Sequence, residues 1–327
     1  MRFLHLGDLH LGKSLGDFDL IGDQKYILDQ ILAVIREKTV DAVLIAGDVY
    51  DKAIPSEAAT NLLDYFLCRL AETGVKTFLI SGNHDSDDRL NYGSRLFQDN
   101  QIFISSVFRG ELEKYTVEDE QGEVDVYLLP FVKASQVRHY FPDAKIDSYD
   151  DAVRVIIEHA HLNLQKRNVI VAHQFVTGRS EDPVLAGSES IGTQSVGLVE
   201  KISYDCFDPF DYVALGHIHK PEVLIPNRMA YAGALEPIDR NDIGAHGFVR
   251  GILDPSGCRI SFVEHAEREY VHLDVPVDEK MTGYDLHTRI DELIGQRGVQ
   301  NMYCLSLEGR RDPDVAFDLS QMDTFGN

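Results

Sequence analysis

No apolar run in this chain approaches the ~20 residues that a membrane helix needs, so neither a spanning helix nor a membrane partner is expected. Paired cysteines are also missing. Cys68, Cys206, Cys258 and Cys304 are scattered, with no Cys-x-x-Cys pair, and read as reduced, mostly buried thiols of a cytoplasmic protein. A leader is not expected either. The start, Met1-Arg2-Phe3-Leu4-His5-Leu6-Gly7-Asp8, puts a carboxylate where a signal peptide has its apolar region. Repeats, low-complexity tracts and the compositional marks of disorder, collagen or coiled coil are missing too. Positive charge is the largest deficit: 31 Lys and Arg stand against 54 Asp and Glu, a net charge of −23. Phosphate backbones repel such a surface, so any nucleic-acid contact has to come from a local basic patch, bound metal ions or a partner.

What is there suffices for one large core and a smaller second domain: 327 residues, 44% hydrophobic. Short apolar runs alternate with amphipathic stretches. The runs are Phe3–Leu6, Ala42–Ala46, Thr77–Ile80, Val124–Leu129, Val169–Ala172 and Tyr212–Leu215, mostly rich in Val, Ile and Leu as buried strands are. Helical periodicity runs over 23–38, 57–73 and 150–166. Alternating strand and helix predicts an α/β sheet covered on both faces. The stretch 178–196, rich in Gly, Ser, Glu and Thr, reads as a long loop. A composition shift near residue 268 divides the chain into 1–268 and 269–327. The second part carries strand patterns at 270–277 and 301–308 around a helix pattern at 283–296, a β-α-β unit of its own.

Five of the apolar runs end in potential metal ligands. They lead in turn into Asp8-Leu9-His10, Gly47-Asp48, Gly82-Asn83-His84-Asp85, His173 and Gly216-His217-Ile218-His219. Ligands of open α/β sheets bind beyond the carboxyl ends of the strands, so the five clusters can converge on one crevice. In an extended segment residues i and i+2 point the same way, which would aim Asp8 with His10 and His217 with His219. The glycines at 47, 82 and 216 are read as sharp turns off the strand. Carboxylate, amide oxygen and imidazole together suit manganese, iron or zinc better than magnesium or calcium. Each piece alone has a plainer reading as a turn, a loop or a satisfied core histidine. Five in order, each after a strand, do not. His159-Ala160-His161 has the same spelling as His217-Ile218-His219 but falls in a helical pattern, where i and i+2 diverge. His5, His139, His246, His265, His272 and His287 stand alone and read as structural or surface groups.

Those residues, in that order and over 1 to about 220, resemble the calcineurin-like metallophosphoesterases. Gly47-Asp48-Val49-Tyr50-Asp51, Ala172–Thr177, Asp211–His217 and Ala232-Gly233-Ala234-Leu235-Glu236-Pro237 narrow the resemblance to the SbcD family of bacterial DNA-repair nuclease subunits. It implies a four-layer α/β/β/α core with residues 270–308 as a small β-α-β DNA-capping domain. It implies two divalent ions, manganese foremost: Asp8, His10 and His219 on one, Asn83, His173 and His217 on the other, Asp48 between them. His84 would be a catalytic residue outside the ligand set, either stabilising phosphate charge as a cation or protonating the leaving oxygen. Asp51 and Asp85 would stand behind the ligands, with Asp85 either orienting His84 or capping its loop. Lys13, Lys52, Arg89, Arg179 and Lys220 lie near the ligand loops and are candidate DNA contacts. The implied activity is double-strand exonuclease and single-strand or hairpin endonuclease, in the cytoplasm, as a homodimer working with an SbcC-like ATPase. The tail Arg310–Asn327 has too few apolar residues for a helix pair on that ATPase, so docking is expected to need residues beyond 327. The alternatives are a small-substrate phosphodiesterase or phosphatase, and a scaffold that has lost catalysis. No degraded ligand position supports the last.

Overall fold

The apolar runs become strands because both of their faces find cover. Ala42–Ala46 is buried at every residue, as a strand between two layers must be. The computed structural model describes residues 1–16, 18–178, 201–239, 242–265 and 268–310. The loop expected at 178–196 and the tail after Arg310 therefore lie almost wholly outside the described residues. The chain divides into two compact units, Met1–Ala266 and Glu267–Asn327.

The first unit holds two six-stranded sheets. In one, the order is Gly257–Glu264, Gly247–Asp254, Arg2–Leu6 (β1), Ala42–Ala46 (β2), Lys76–Ile80 (β3) and Ile102–Ser105. From β1 onward these strands are parallel, while Gly247–Asp254 pairs antiparallel with β1. In the other, the order is Glu222–Ile225, Met229–Tyr231, Tyr212–Gly216 (β5), Arg167–His173 (β4), Gly122–Leu129 and Glu113–Asp119. Its four inner strands are parallel.

The period-two alternation of each strand sorts its side chains into two cores. Phe3, Leu44 and Phe78 of the first sheet meet Val126, Val171 and Ala214 of the second in one cluster. Leu4, Val43, Ile45 and Leu79 pack with helices Ile21–Glu37 (α1) and Glu57–Thr73 (α2). Tyr127, Ile170, Val213 and Leu215 pack with helix Tyr149–Glu158 (α3). The layers therefore run α/β/β/α, as expected. Helix ends follow local chemistry. Ser56 Oγ accepts the Ala59 N–H at 3.1 Å, and Gly74 closes α2 at φ 71°. The helical pattern of 150–166 stops at Glu158, so His159 and His161 are exposed beyond the helix.

In the second unit, Tyr270–Val277 and Met302–Gly309 pair in parallel. Between them runs helix Gly283–Arg297 (α4), opened by a capping box of Thr282 and Asp285. Leu273, Val275, Leu286, Ile290 and Ile294 form this unit's own core.

Candidate metal centre

The site grows from the carboxyl ends of β1 to β5, and its backbone is unusual. Among the described residues seven non-glycines have positive φ, and four belong to the expected ligand set: Asp8 at 50°, His10 at 41°, Asp48 at 46° and His217 at 100°. Such conformations cost about 1–3 kcal/mol each and persist only where the surroundings over-determine them. This corrects the extended-strand argument. Asp8 and His10 do not share a direction by strand alternation; each sits in a left-handed kink. The kinks are held across the sheet, with the Asp8 N–H donating to Gly47 O at 3.2 Å and the His10 N–H to Asp48 O at 2.9 Å.

The glycines also act differently from the simple turn reading. Gly47 does need its φ of +85°. Gly82 and Gly216 instead make room: a Cβ on Gly82 would stand 2.1 Å from Asp48 Oδ1, and one on Gly216 1.9 Å from Ala46 O.

Two groups of side chains result. Asp8, His10, Asp48 and His219 are all buried and place one donor atom each within 4.8 Å of one another. His10 Nε2 and His219 Nε2 face each other at 3.3 Å. Across from them, Asn83 Oδ1 lies 3.0 Å from His173 Nε2 and 2.8 Å from His217 Nδ1. Asp48 stands between the groups, its Oδ2 at 3.7 Å from His10 Nε2 and 3.3 Å from His173 Nε2. All seven expected ligands therefore meet in one place.

Whether a cation fits can be read from the polar atoms. Asp48 Oδ2 and His10 Nδ1 are buried and make no hydrogen bond. A buried carboxylate oxygen without a hydrogen bond costs roughly 1–3 kcal/mol or more; His173 Nε2, at 3.3 Å, faces it as an ion-pair partner, a place that a divalent ion would take. Facing imidazole nitrogens around that oxygen supply a donor set for such a charge. Burial pushes the His10 and His219 imidazoles below their ordinary values, keeping them neutral, as ligands must be. His173 goes the other way. Burial, the largest single influence, pulls it down, but the Asp48 carboxylate, with Asp8 and the Ala46 carbonyl, raises it to about 9.

The residues behind the ligands are now distinguishable. Asp51 Oδ1 lies 3.6 Å from His10 Nδ1 and 3.0 Å from Lys13 Nζ. Burial raises Asp51, yet His10 and Lys13 together bring it down to about 2. Asp85 turns its side chain to the backbone. Its carboxylate accepts the N–H groups of Val49, Tyr50 and Gly82 at 3.0, 2.9 and 2.9 Å, tying the loop after β3 to the loop after β2. The loop-capping alternative is the one the hydrogen bonds support. His84 donates its backbone N–H to Asp48 Oδ1 at 2.8 Å and its Nδ1–H to the Asp51 carbonyl at 3.0 Å, which leaves Nε2 available. His84 also closes a second group of possible donors with His10 and Asp51.

Three contributors lie outside the ligand clusters read from the sequence. Gln24 on α1 accepts the Gly12 N–H at 2.9 Å and donates to His10 O at 3.0 Å, fixing the first ligand loop. Phe131 stacks on His217 with ring centroids 6.4 Å apart at 24°, and Phe175 meets the same ring edge-on at 6.3 Å. The lone histidines at 5 and 246 are core groups. His5 bonds Tyr212 OH and Leu215 O, and His246 bonds Ala234 O and Asp242 O. Of the expected DNA contacts, Lys52, Arg89 and Lys220 are exposed, Lys13 is engaged by Asp51, and Arg179 lies outside the described residues. No described helix is long and apolar enough to cross a membrane.

Residues 1–221 match the family model described as calcineurin-like phosphoesterase. A solved structure of a dimetal phosphatase from Danio rerio aligns over 81% of this chain and 99% of its own, at 14% identity. The TM-score of that alignment is 0.39.

Proposed function

The chain belongs to the calcineurin-like phosphoesterase family, and from that premise we propose that this metal-dependent phosphoester hydrolase is a DNA nuclease of the SbcD type. The observation that carries the hydrolase half is Asp48 Oδ2, buried without a hydrogen bond between His10 and His173. Asp8, His10 and His219 would hold one divalent ion, Asn83, His173 and His217 the other, with Asp48 shared; the mixed donor set favours manganese. Divalent ions held there would supply positive charge to the phosphate oxygens and Lewis-acid activation of water.

The protein's own groups do the rest. Asp51 and Gln24 fix His10, and Asp85 fixes the loop that presents Asn83 and His84. The Nδ1–H bond to Asp51 O leaves His84 Nε2 to carry a proton toward the substrate, for charge stabilisation or for the leaving oxygen.

DNA as the substrate is supported by the stretches around Asp48, His173 and His217 and by the β-α-β unit after residue 267, read as a DNA cap. Lys52, Arg89 and Lys220 would supply local positive charge on an acidic protein. A cytoplasmic location, an SbcC-like ATPase partner and a homodimer belong to the same reading. The competing reading, a small-substrate phosphodiesterase or phosphatase, uses the same centre. Nucleotide release from linear duplex DNA, set beside hydrolysis of a chromogenic phosphate ester in manganese, separates them. The nuclease reading expects chelator-sensitive digestion of the duplex. Ester hydrolysis with intact duplex would overturn it.

A further inference from the structure

The ligand candidates leave unexplained a hollow of about 360 Å³ that opens beside Asn83. Its lining includes Phe131, Lys133, Gln136, Asp87 and Asp88. Asn83 is the near edge and touches both His173 and His217, so anything filling the hollow abuts the metal centre. Phe131, stacked on His217, gives the hollow an aromatic wall. The volume lies at the small end of ligand sites (roughly 300–1,000 Å³) and suits a single nucleoside rather than a duplex.

Charge narrows the ligand further. Asp85 also lines the hollow, but its carboxylate is taken up by three backbone N–H groups. Asp87 and Asp88 then stand against the single ammonium of Lys133. A second phosphate entering here would meet an excess of like charge. Sugar hydroxyls and base amides would instead find carboxylate acceptors and ammonium and amide donors. Gln136 Oε1 already accepts the Lys133 N–H at 2.8 Å, which leaves its NH₂ to donate.

We propose that this hollow is a subsite for one nucleoside whose far end is unphosphorylated, stacked against Phe131 beside the phosphate under attack. The inference rests on the nuclease reading and deepens it: the strand end that enters carries a hydroxyl. The nucleoside of a free mononucleotide presents the same chemistry, so the test needs both sources.

The test compares oligothymidylates with hydroxyl ends, with a 5′-phosphate and with a 3′-phosphate, beside thymidine 3′- and 5′-monophosphate, all in manganese. One of the two terminal phosphates should lower kcat/KM about ten-fold or more. Asp87→Asn with Asp88→Asn should remove most of that discrimination. Phe131→Leu should raise KM for the hydroxyl-ended oligomer about ten-fold, a stacking-sized effect. Equal cleavage of all the oligomers by the native protein, or a KM unmoved in Phe131→Leu, would overturn the subsite while the nuclease reading stands. If no oligomer is cleaved but thymidine monophosphates are, with a KM that rises in Phe131→Leu, the nuclease reading fails and the nucleoside subsite stands. If neither source is hydrolysed, both fall.

Discussion

His173 Nε2 lies 3.3 Å from Asp48 Oδ2, and that buried pair holds a proton for which a cation must compete. Burial, the largest single influence, opposes the imidazolium, but Asp48, with Asp8 and the Ala46 carbonyl, lifts His173 from 6.5 to about 9. A folded pKa raised above the unfolded one gives stability that is fully present below about 6.5 and lost as pH rises through about 9. Chelator-treated protein is therefore expected to melt at progressively lower temperature across that window. Saturating manganese should flatten the dependence, since the ion replaces the proton. A melting temperature of the chelated protein that rises across the same window would contradict the assignment.

Gly82→Ala should damage the centre without replacing a ligand. Its Cβ would stand 2.1 Å from Asp48 Oδ1 and 2.3 Å from Asp48 N, both part of the strained turn itself. The expected result is a manganese affinity weakened at least about ten-fold, in the range seen when groups supporting metal ligands are lost. Calorimetric titration measures it. An unchanged affinity means that the loop after β3 gives way more easily than these distances imply.

His84→Ala should separate binding from chemistry. The ring is anchored by the Asp51 carbonyl and lies outside the seven-residue ligand set, although it approaches His10 and Asp51. Elemental analysis is expected to find the native metal content, while cleavage falls by about 10²–10⁴-fold, the size of a lost acid–base group. Loss of metal in this variant would make His84 a ligand.

The exposed cations give a salt-dependence prediction. Reversing Lys52, Arg89 and Lys220 to Glu should weaken duplex binding and flatten its salt dependence, since each lost phosphate contact removes about 0.9 from the log–log slope. Lys13 is left out because its ammonium is 3.0 Å from Asp51, and reversing it would disturb His10 as well. An unchanged slope removes these residues from the DNA path.

Much of this site was legible in the chain because each ligand cluster follows a short apolar run. Parallel strands deliver such cluster positions to one edge of each sheet, Asp8, Asp48 and Asn83 from one and His173 and His217 from the other. The backbone was not legible. Nothing in Asp8-Leu9-His10 announces two left-handed residues, because the kinks are imposed by hydrogen bonds to Gly47 and Asp48 from a neighbouring strand. Gln24 was hidden for a related reason: in sequence it is one more polar residue of a helix, and its role depends on where α1 lies against the first ligand loop. Phe131 and Phe175 read as ordinary apolar residues, since ring stacking on His217 is a matter of tertiary placement. The helix pattern over 150–166 overran because apolar spacing continues past Glu158, where the chain turns away.

Anomalous diffraction from manganese-soaked crystals shows whether Asp48 joins two metal positions. Two peaks flanking Asp48 Oδ2 are expected, one on the side of His10 and His219 and one on the side of His173 and His217. A single peak, or two peaks with Asp48 bound to neither or to only one, would contradict that role.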